Sequence, residues 1–271
     1  MPPLLQQLKH LLTPPPALQS LADAALHAAL ELAVPFRCSL CGQTGVAPGS
    51  RWTCYCGHCT AQLCVQPAHR CQVCAAEVGP WSATAVGCVH CRGRALRFKS
   101  VVCLAMYQDP LRQALLAAKW SFSAVPMRSL ARLLAAARLE HLRSLQIDRV
   151  IPIPQHWRQR LVRHFNPAWV IAEELARALR VPCDPHLLRK SRRSRPQKRV
   201  SLAQRAQNQH NSFSVTCPAA VAGERLLLVD DVLTTGATCS EAARCLLRSR
   251  AAECHVAVIA RVLDHSAIEA S

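Results

Sequence analysis

Two groups of residues have the types and spacings that do chemistry. The first is Asp230-Asp231, set directly after the apolar run Arg225-Leu-Leu-Leu-Val229 and followed by Val-Leu-Thr-Thr-Gly-Ala-Thr238. The apolar run has the length of a buried strand, and a helix is expected from about Ser240 to Arg250. In an open α/β sheet, ligands bind outside the carboxyl ends of the strands, where the two acids would lie. Two carboxylates there can accept hydrogen bonds from vicinal ribose hydroxyls. The backbone N–H groups of Thr234 to Thr238, with the threonine hydroxyls, can surround a phosphate monoester at the positive end of the following helix. Gly236 lets the main chain turn close to that phosphate. The competing reading, an acidic turn capping an ordinary helix, does not call for this order of strand, acid pair, two threonines, glycine and a further threonine.

The second group is the cysteines. Sixteen are present, and ten of them fall between Cys38 and Cys91, which points to a local metal module rather than a disulfide scaffold. Four Cys-x-x-Cys knuckles can be read: Cys38/Cys41, Cys56/Cys59, Cys71/Cys74 and Cys88/Cys91. Zinc takes four soft ligands at about 2.3 Å, so each site requires two knuckles. Sequential pairing, Cys38/Cys41 with Cys56/Cys59 and Cys71/Cys74 with Cys88/Cys91, closes ribbon-sized loops; cross-braced pairing stays open. Cys54 could compete with Cys56, and His58, His69 or His90 could replace a thiolate. Four protein ligands leave no open coordination position, so the zinc ions are structural. The module has few aliphatic residues, so the metal is expected to supply much of its folding energy.

Other elements must position these residues. Leu4 to Leu32 has helical apolar spacing interrupted by Pro14-Pro15-Pro16. Ser100 to Tyr107 has the pattern of a strand, Pro110 to Trp120 and about Pro126 to Leu142 those of helices. Ile147-Asp-Arg-Val-Ile-Pro-Ile-Pro154 is a buried-strand run whose prolines would stop ladder pairing. Asn166 can cap a helix with Pro167 at its first position and Ala168, Ile171, Ala172, Leu175 and Leu179 on one face. The expected division is an arm over 1–35, a double Cys-knuckle module over 36–95 and an α/β domain over 98–265.

A chain of 271 residues can bury a full core. The formal charge of +17 favours phosphate-bearing partners. No run reaches the ~18 apolar residues that a membrane span needs, and the amino terminus lacks a basic-then-apolar signal, so a cytoplasmic location is expected. The positive charge is concentrated. Arg149 to Ala172 contains no acid but holds Arg158, Arg160 and Arg163. Asp184 to Glu224 encloses none either, and carries Arg189, Lys190, Arg192, Arg193, Arg195, Lys198, Arg199 and Arg205. With few large apolar residues, this second stretch is expected to be a mobile loop leading to a partly ordered segment near Phe213. Trp52, Tyr55, Trp81, Trp120, Trp157 and Trp169 could stack bases, although an aromatic content of 4% argues against an extended stacking platform.

Leu227 to Thr238 resembles the phosphoribosyl pyrophosphate signature of type I phosphoribosyltransferases. Taken with the Cys knuckles, Ile151-Pro-Ile-Pro154, Arg163-His-Phe-Asn166 and the spacing of Gln197, Arg205, Asn208 and Phe213, the chain from about Cys38 to Arg261 resembles the ComF family, named for bacterial competence. The resemblance implies a type I phosphoribosyltransferase-like parallel sheet with flanking helices, plus a small zinc-ribbon-like module. It implies that Asp230 and Asp231 hold ribose, one assisting Mg²⁺, that Thr234, Thr235, Gly236, Ala237 and Thr238 hold the 5-phosphate, and that the turn after Ile151 approaches the pyrophosphate. Arg158, Arg163, Arg195, Lys198 and Arg205 become candidates for pyrophosphate or DNA contacts. The implied partners are phosphoribosyl pyrophosphate, single-stranded DNA and proteins of DNA uptake. A pentosyltransferase with an unidentified acceptor is the alternative, and a ligand sensor whose basic loop is ordered by phosphoribosyl pyrophosphate is a third reading. The family's Arg-Gly-Phe-Asn-Gln stands here as Arg163-His-Phe-Asn-Pro167, so His164 is expected to strain any backbone that the glycine holds at positive φ.

Overall fold

The computed structural model describes residues 36–44, 49, 53–82, 87–155, 164–190 and 212–263. The helix expected over Leu4 to Leu32 lies outside them. A short helix α1 (Gly57–Leu63) belongs to the Cys-rich part. Then come β1 (Val101–Met106), α2 (Leu111–Trp120), α3 (Val125–Ser144), β2 (Arg149–Pro152) and α4 (Pro167–Leu179). The strands β3 (Leu188–Lys190) and β4 (Phe213–Val215) are followed by a 3₁₀ turn at Pro218–Val221, β5 (Arg225–Leu233), α5 (Ala237–Arg248) and β6 (Glu253–Arg261).

Four strands form a parallel sheet in the order β1-β6-β5-β2. Both faces are covered, as a parallel sheet requires. Side chains alternate along each strand, so Leu227 and Val229 of β5 face the layer built by α2, α3 and α4, while Leu226 and Leu228 face α5 and the β3–β4 pair. β2 lies at the sheet's edge, the position that tolerates proline: Pro152 is paired in the last rung with Val229, and the Ile153 N–H still donates to the Val229 carbonyl at 2.8 Å. The prolines therefore end the ladder one step later than their first appearance suggests.

α4 begins as expected. The Asn166 side chain accepts from the Ala168 N–H at 3.0 Å, and Pro167 occupies the first turn. Its buried Glu174 takes Arg128 and Arg132 from α3 and Arg177 from its own helix, fastening α3 to α4.

Two sequence-based boundaries shift. β5 does not stop at Val229 but runs on to Leu233, because β6 continues to offer partners: Asp230 pairs with Val258, Val232 with Ala260 and Leu233 with Arg261. The following helix starts at Ala237, not Ser240, so Ala237 and Thr238 are its first residues.

The Cys-rich part is not a separate island. Tyr55, Cys56, Cys59 and Leu63 belong to the same apolar cluster as α2, α3 and α4. The Cys54 N–H donates to the Ser129 hydroxyl of α3 at 3.1 Å. Its packing thus has a contribution from the main core as well as from any metal, more than its own composition suggested. No helix among the described residues is long and apolar enough to cross a membrane.

Candidate functional site

The acid pair sits near the carboxyl end of β5, and the pleat sends consecutive side chains to opposite faces. Asp231 turns to the α2 side, where Lys119, in the last turn of α2, reaches its carboxylate at 2.9 Å. Asp230 turns to the other side, within the fields of Lys190 on β3 and of Cys239 in the first turn of α5. Burial and the neighbouring Asp231 charge push the Asp230 carboxyl up to about 7, against the opposing hydrogen bond from the Asp231 N–H at 2.8 Å. Burial likewise holds the Lys190 ammonium below its ordinary value, with Asp230 opposing. The Cys239 thiol is pushed up by burial and then by both carboxylates, so it is neutral and no nucleophile.

After β5 the chain turns through Thr234 and Thr235 to Gly236, which has φ +79° and precedes the first turn of α5. The Gly236 position offers no side-chain cap, and the Ala237 N–H is taken by the Thr235 hydroxyl at 3.3 Å, which leaves the next N–H groups of the first turn facing the loop. An oxyanion placed there would meet those groups and the positive end of the helix. A Cβ on Gly236 would stand 3.3 Å from Phe98 Cζ. Glycine is therefore favoured twice, by the left-handed backbone and by the close approach of Phe98, which would have to give by a few tenths of an ångström for a Cβ.

The loop is braced from behind. Arg261, at the end of β6 and 2% exposed, donates through Nη1 to the carbonyls of Leu233 (3.2 Å), Thr234 (2.6 Å) and Val262, and through Nε to the Cys74 carbonyl (2.9 Å). Ser240 Oγ accepts from the Arg97 N–H and donates to the Ala95 carbonyl, each at 3.0 Å. Arg94 Nη1 reaches the Thr235 carbonyl at 3.4 Å. Lys119 and Arg261 are residues that sequence reasoning did not single out, and Lys190 was read only as part of the basic run. The only signal for Arg261 was an arginine ending an otherwise apolar strand.

The cysteines gather into two sets of four, Cys38/Cys41/Cys56/Cys59 and Cys71/Cys74/Cys88/Cys91, the ligand atoms of each within 4.8 Å of one another. This is the sequential pairing, and Cys54 belongs to neither set. A tetrahedron with arms of about 2.3 Å has edges of about 3.8 Å. The observed Sγ···Sγ separations are 3.9 Å for Cys41–Cys56, 3.8 Å for Cys71–Cys91, 3.6 Å for Cys74–Cys88 and 3.9 Å for Cys88–Cys91. The Cys56 N–H points at Cys38 Sγ (3.3 Å) and the Cys88 N–H at Cys91 Sγ (3.2 Å), donors suited to thiolates. Both sets could hold zinc. The first is docked on α3, the second behind the phosphate-type loop.

Of the basic candidates, Arg158, Arg163, Arg195, Lys198 and Arg205 lie outside the described residues, as does the expected mobile loop. β3 and β4 pair antiparallel with Lys190 opposite Phe213, and Lys190 lies within the field of Asp230. The His164 ring lies 4.4 Å from that of Phe122. Tyr55 is core, whereas Trp81, Trp120, Trp169 and Phe122 are exposed. Trp52 and Trp157 lie outside the described residues.

Residues 167–267 match the phosphoribosyl transferase domain family. The DNA utilization protein YhgH of Escherichia coli (strain K12) is 32% identical over 183 residues, covering 65% of this chain and 78% of that protein. The protein of the same name from Salmonella typhi is 30% identical over 239 residues, covering 86% and 100%. Competence protein F of Haemophilus influenzae is 28% identical over 211 residues, covering 76% and 84%. Among solved structures, glutamine phosphoribosylpyrophosphate amidotransferase from B. subtilis, complexed with ADP and GMP, aligns with a TM-score of 0.33 at 22% identity over 49% of this chain. The allosteric regulatory enzyme of purine biosynthesis aligns with a TM-score of 0.34 at 24% identity, also over 49%. This chain spans about a quarter of each of those two chains.

Proposed function

Because this chain belongs to the ComF family, we propose that its carboxyl-end site binds phosphoribosyl pyrophosphate with Mg²⁺ and that its basic segments bind single-stranded DNA, in the DNA utilization or competence for which its relatives are named. One observation carries the first half: an acid pair at the end of a central parallel strand leads through Thr234, Thr235 and a left-handed Gly236 into the start of α5. In this reading Asp230 and Asp231 accept the ribose hydroxyls. Thr234 to Thr238 receive the 5-phosphate through main-chain N–H groups and hydroxyls. Lys119, now paired with Asp231, is released toward the pyrophosphate as the ribose takes its place. Asp230 and Asp231 offer the hard oxygen donors that suit Mg²⁺, which binds through one or two carboxylates and the ligand's own phosphates. When bound, it would neutralise charge on the pyrophosphate.

Support for the second half is the net charge of +17, the basic run between β3 and β4, and the exposed Trp81, Trp120, Trp169 and Phe122, which offer faces for base stacking. DNA-uptake proteins are the partners this reading implies. The division into a Cys module over 36–95 and a transferase-like domain over 98–265 belongs to the same proposal.

The phosphoribosyl transferase match over 167–267 keeps pentosyl transfer to an acceptor as the alternative. The deciding experiment is calorimetry with phosphoribosyl pyrophosphate and Mg²⁺ alongside a salt series with a labelled single strand. Asp231→Asn should abolish the first binding and spare the second. Retention of phosphoribosyl pyrophosphate binding by that variant removes the ribose assignment. Absence of DNA binding at low salt removes the DNA half and leaves the search for an acceptor.

A further inference from the structure

At the opposite pole from Asp230, the amino ends of the strands open into a cavity of about 650 Å³. Its walls are the Cys71/Cys74 knuckle, the starts of β1, β5 and β6, and the later turns of α3. Four cations, Arg70, Lys99, Arg138 and Arg225, face one lining carboxylate, Glu253. That carboxylate is already taken: Lys99 Nζ holds one oxygen at 2.7 Å and His255 Nε2 faces the other at 3.3 Å. Arg225 is occupied with Gln146 and Asp148. The charge left over belongs to Arg70 and Arg138, and among the described residues no carboxylate pairs with either.

Arg138 is also fixed in place. Its Nε donates to the Cys103 carbonyl at 3.1 Å and its Nη2 to the Leu104 carbonyl at 3.3 Å, so the guanidinium cannot swing away from Arg70. Burial and then the Arg70 charge push Arg138 below its ordinary value, and His141, at the rim, is pushed down by burial and by both arginines. Packing therefore holds like charges together, an arrangement whose repulsion an incoming anion relieves. The volume lies in the range of small-ligand sites, and guanidinium groups recognise phosphate oxygens in pairs.

We propose that this cavity is a second phosphate-recognition site, taking a phosphate carried by a free nucleotide or by the backbone of an oligonucleotide. It is independent of the phosphoribosyl site at the other end of the sheet, and stands or falls without it.

The test uses the full zinc-loaded chain and two probes: a fluorescent oligothymidylate followed by anisotropy over a salt series, and adenosine monophosphate followed by calorimetry. The variants are Arg70→Gln and His141→Glu, the second at an exposed helix position, and the far-UV circular dichroism of each is matched to that of the wild type before binding is compared. The expected result is a loss of affinity of at least tenfold for one or both probes in both variants. Probe binding should also slow amide exchange over residues 70–75 and 99–102. If the oligonucleotide is affected, the slope of log affinity against log salt falls by about 0.7 for each single-strand phosphate that the variant no longer neutralises, which identifies a nucleic-acid backbone. If only the mononucleotide is affected, the source is a free nucleotide. No binding of either probe at low salt, unchanged affinities in both variants, or protection confined to residues 234–238 overturns the proposal.

Discussion

The guanidinium of Arg261 holds the main chain of Thr234: its Nη1 donates to the Thr234 carbonyl at 2.6 Å while its Nε donates to the Cys74 carbonyl at 2.9 Å. One buried side chain thus joins a knuckle of the second Cys set to the loop that begins the phosphate-type site. Leu96, which packs against both the second Cys set and the core under α5, strengthens the same junction. Order in the loop should therefore depend on the second set and not on the first.

Removal of metal from the second set, by Cys74→Ser, should speed amide exchange at residues 234–238 by at least tenfold. Removal from the first set, by Cys56→Ser, should leave that exchange nearly unchanged, because the first set docks on α3. Equal effects of the two variants in exchange mass spectrometry would refute this coupling.

Arg261→Met should cost about 3 kcal/mol, since it strands buried carbonyls that a charged donor now satisfies. At about 2–4 °C per kcal/mol for a chain of this size, the melting temperature should fall by roughly 6–12 °C. Arg261→Lys, a single point donor in place of a fork, should recover only part of the stability. A thermal shift under 2 °C for the Met variant would show that the carbonyls find other partners.

Metal content should divide by set. Cys38→Ser and Cys88→Ser should each lower zinc from two to one per chain, and Cys54→Ser should leave two, because Cys54 stands outside both groups. Elemental analysis of the purified variants decides this.

Glu174 makes stability depend on acid. Burial raises its carboxyl, but hydrogen bonds from Arg132, Arg177 and Arg128 outweigh it, and the net position is below the ordinary value. A depressed carboxylate contributes fully above its unfolded value of about 4.3 and loses that contribution as pH falls through the native value. Glu174→Gln, which removes the carboxylate that Arg128, Arg132 and Arg177 share, should cost about 2 kcal/mol at pH 7. The gap between urea midpoints of wild type and variant should narrow from pH 7 to pH 3.5. A constant gap would assign the cost to shape rather than charge.

Gly236→Ala meets φ +79° and the Phe98 ring at 3.3 Å together. It should cost about 1–3 kcal/mol in stability and weaken phosphoribosyl pyrophosphate binding by at least tenfold, read by calorimetry on the folded fraction.

Much of this protein follows from the order of its residues, because the relevant forces are local. The Cys-x-x-Cys spacings limit which thiolates share a metal, since a knuckle presents two ligands from one short turn. Asn166-Pro167 fixes the start of α4, as a side-chain cap and a preset φ act within one turn. The strand, acid pair, threonine and glycine order around Asp230 and Asp231 is likewise contiguous. The tertiary structure decided the rest. Local pattern ended β5 at Val229, whereas the partners on β6 carry it to Leu233. The same pattern shows two adjacent carboxylates, but only the pleat and the surrounding layers send Asp231 to Lys119 and Asp230 toward Lys190. The Arg261 bridge, and the cationic cavity where Arg70 meets Arg138, join segments far apart in the chain. Charge and hydrogen bonding act through space, so such sites exist only once the sheet has brought distant residues together.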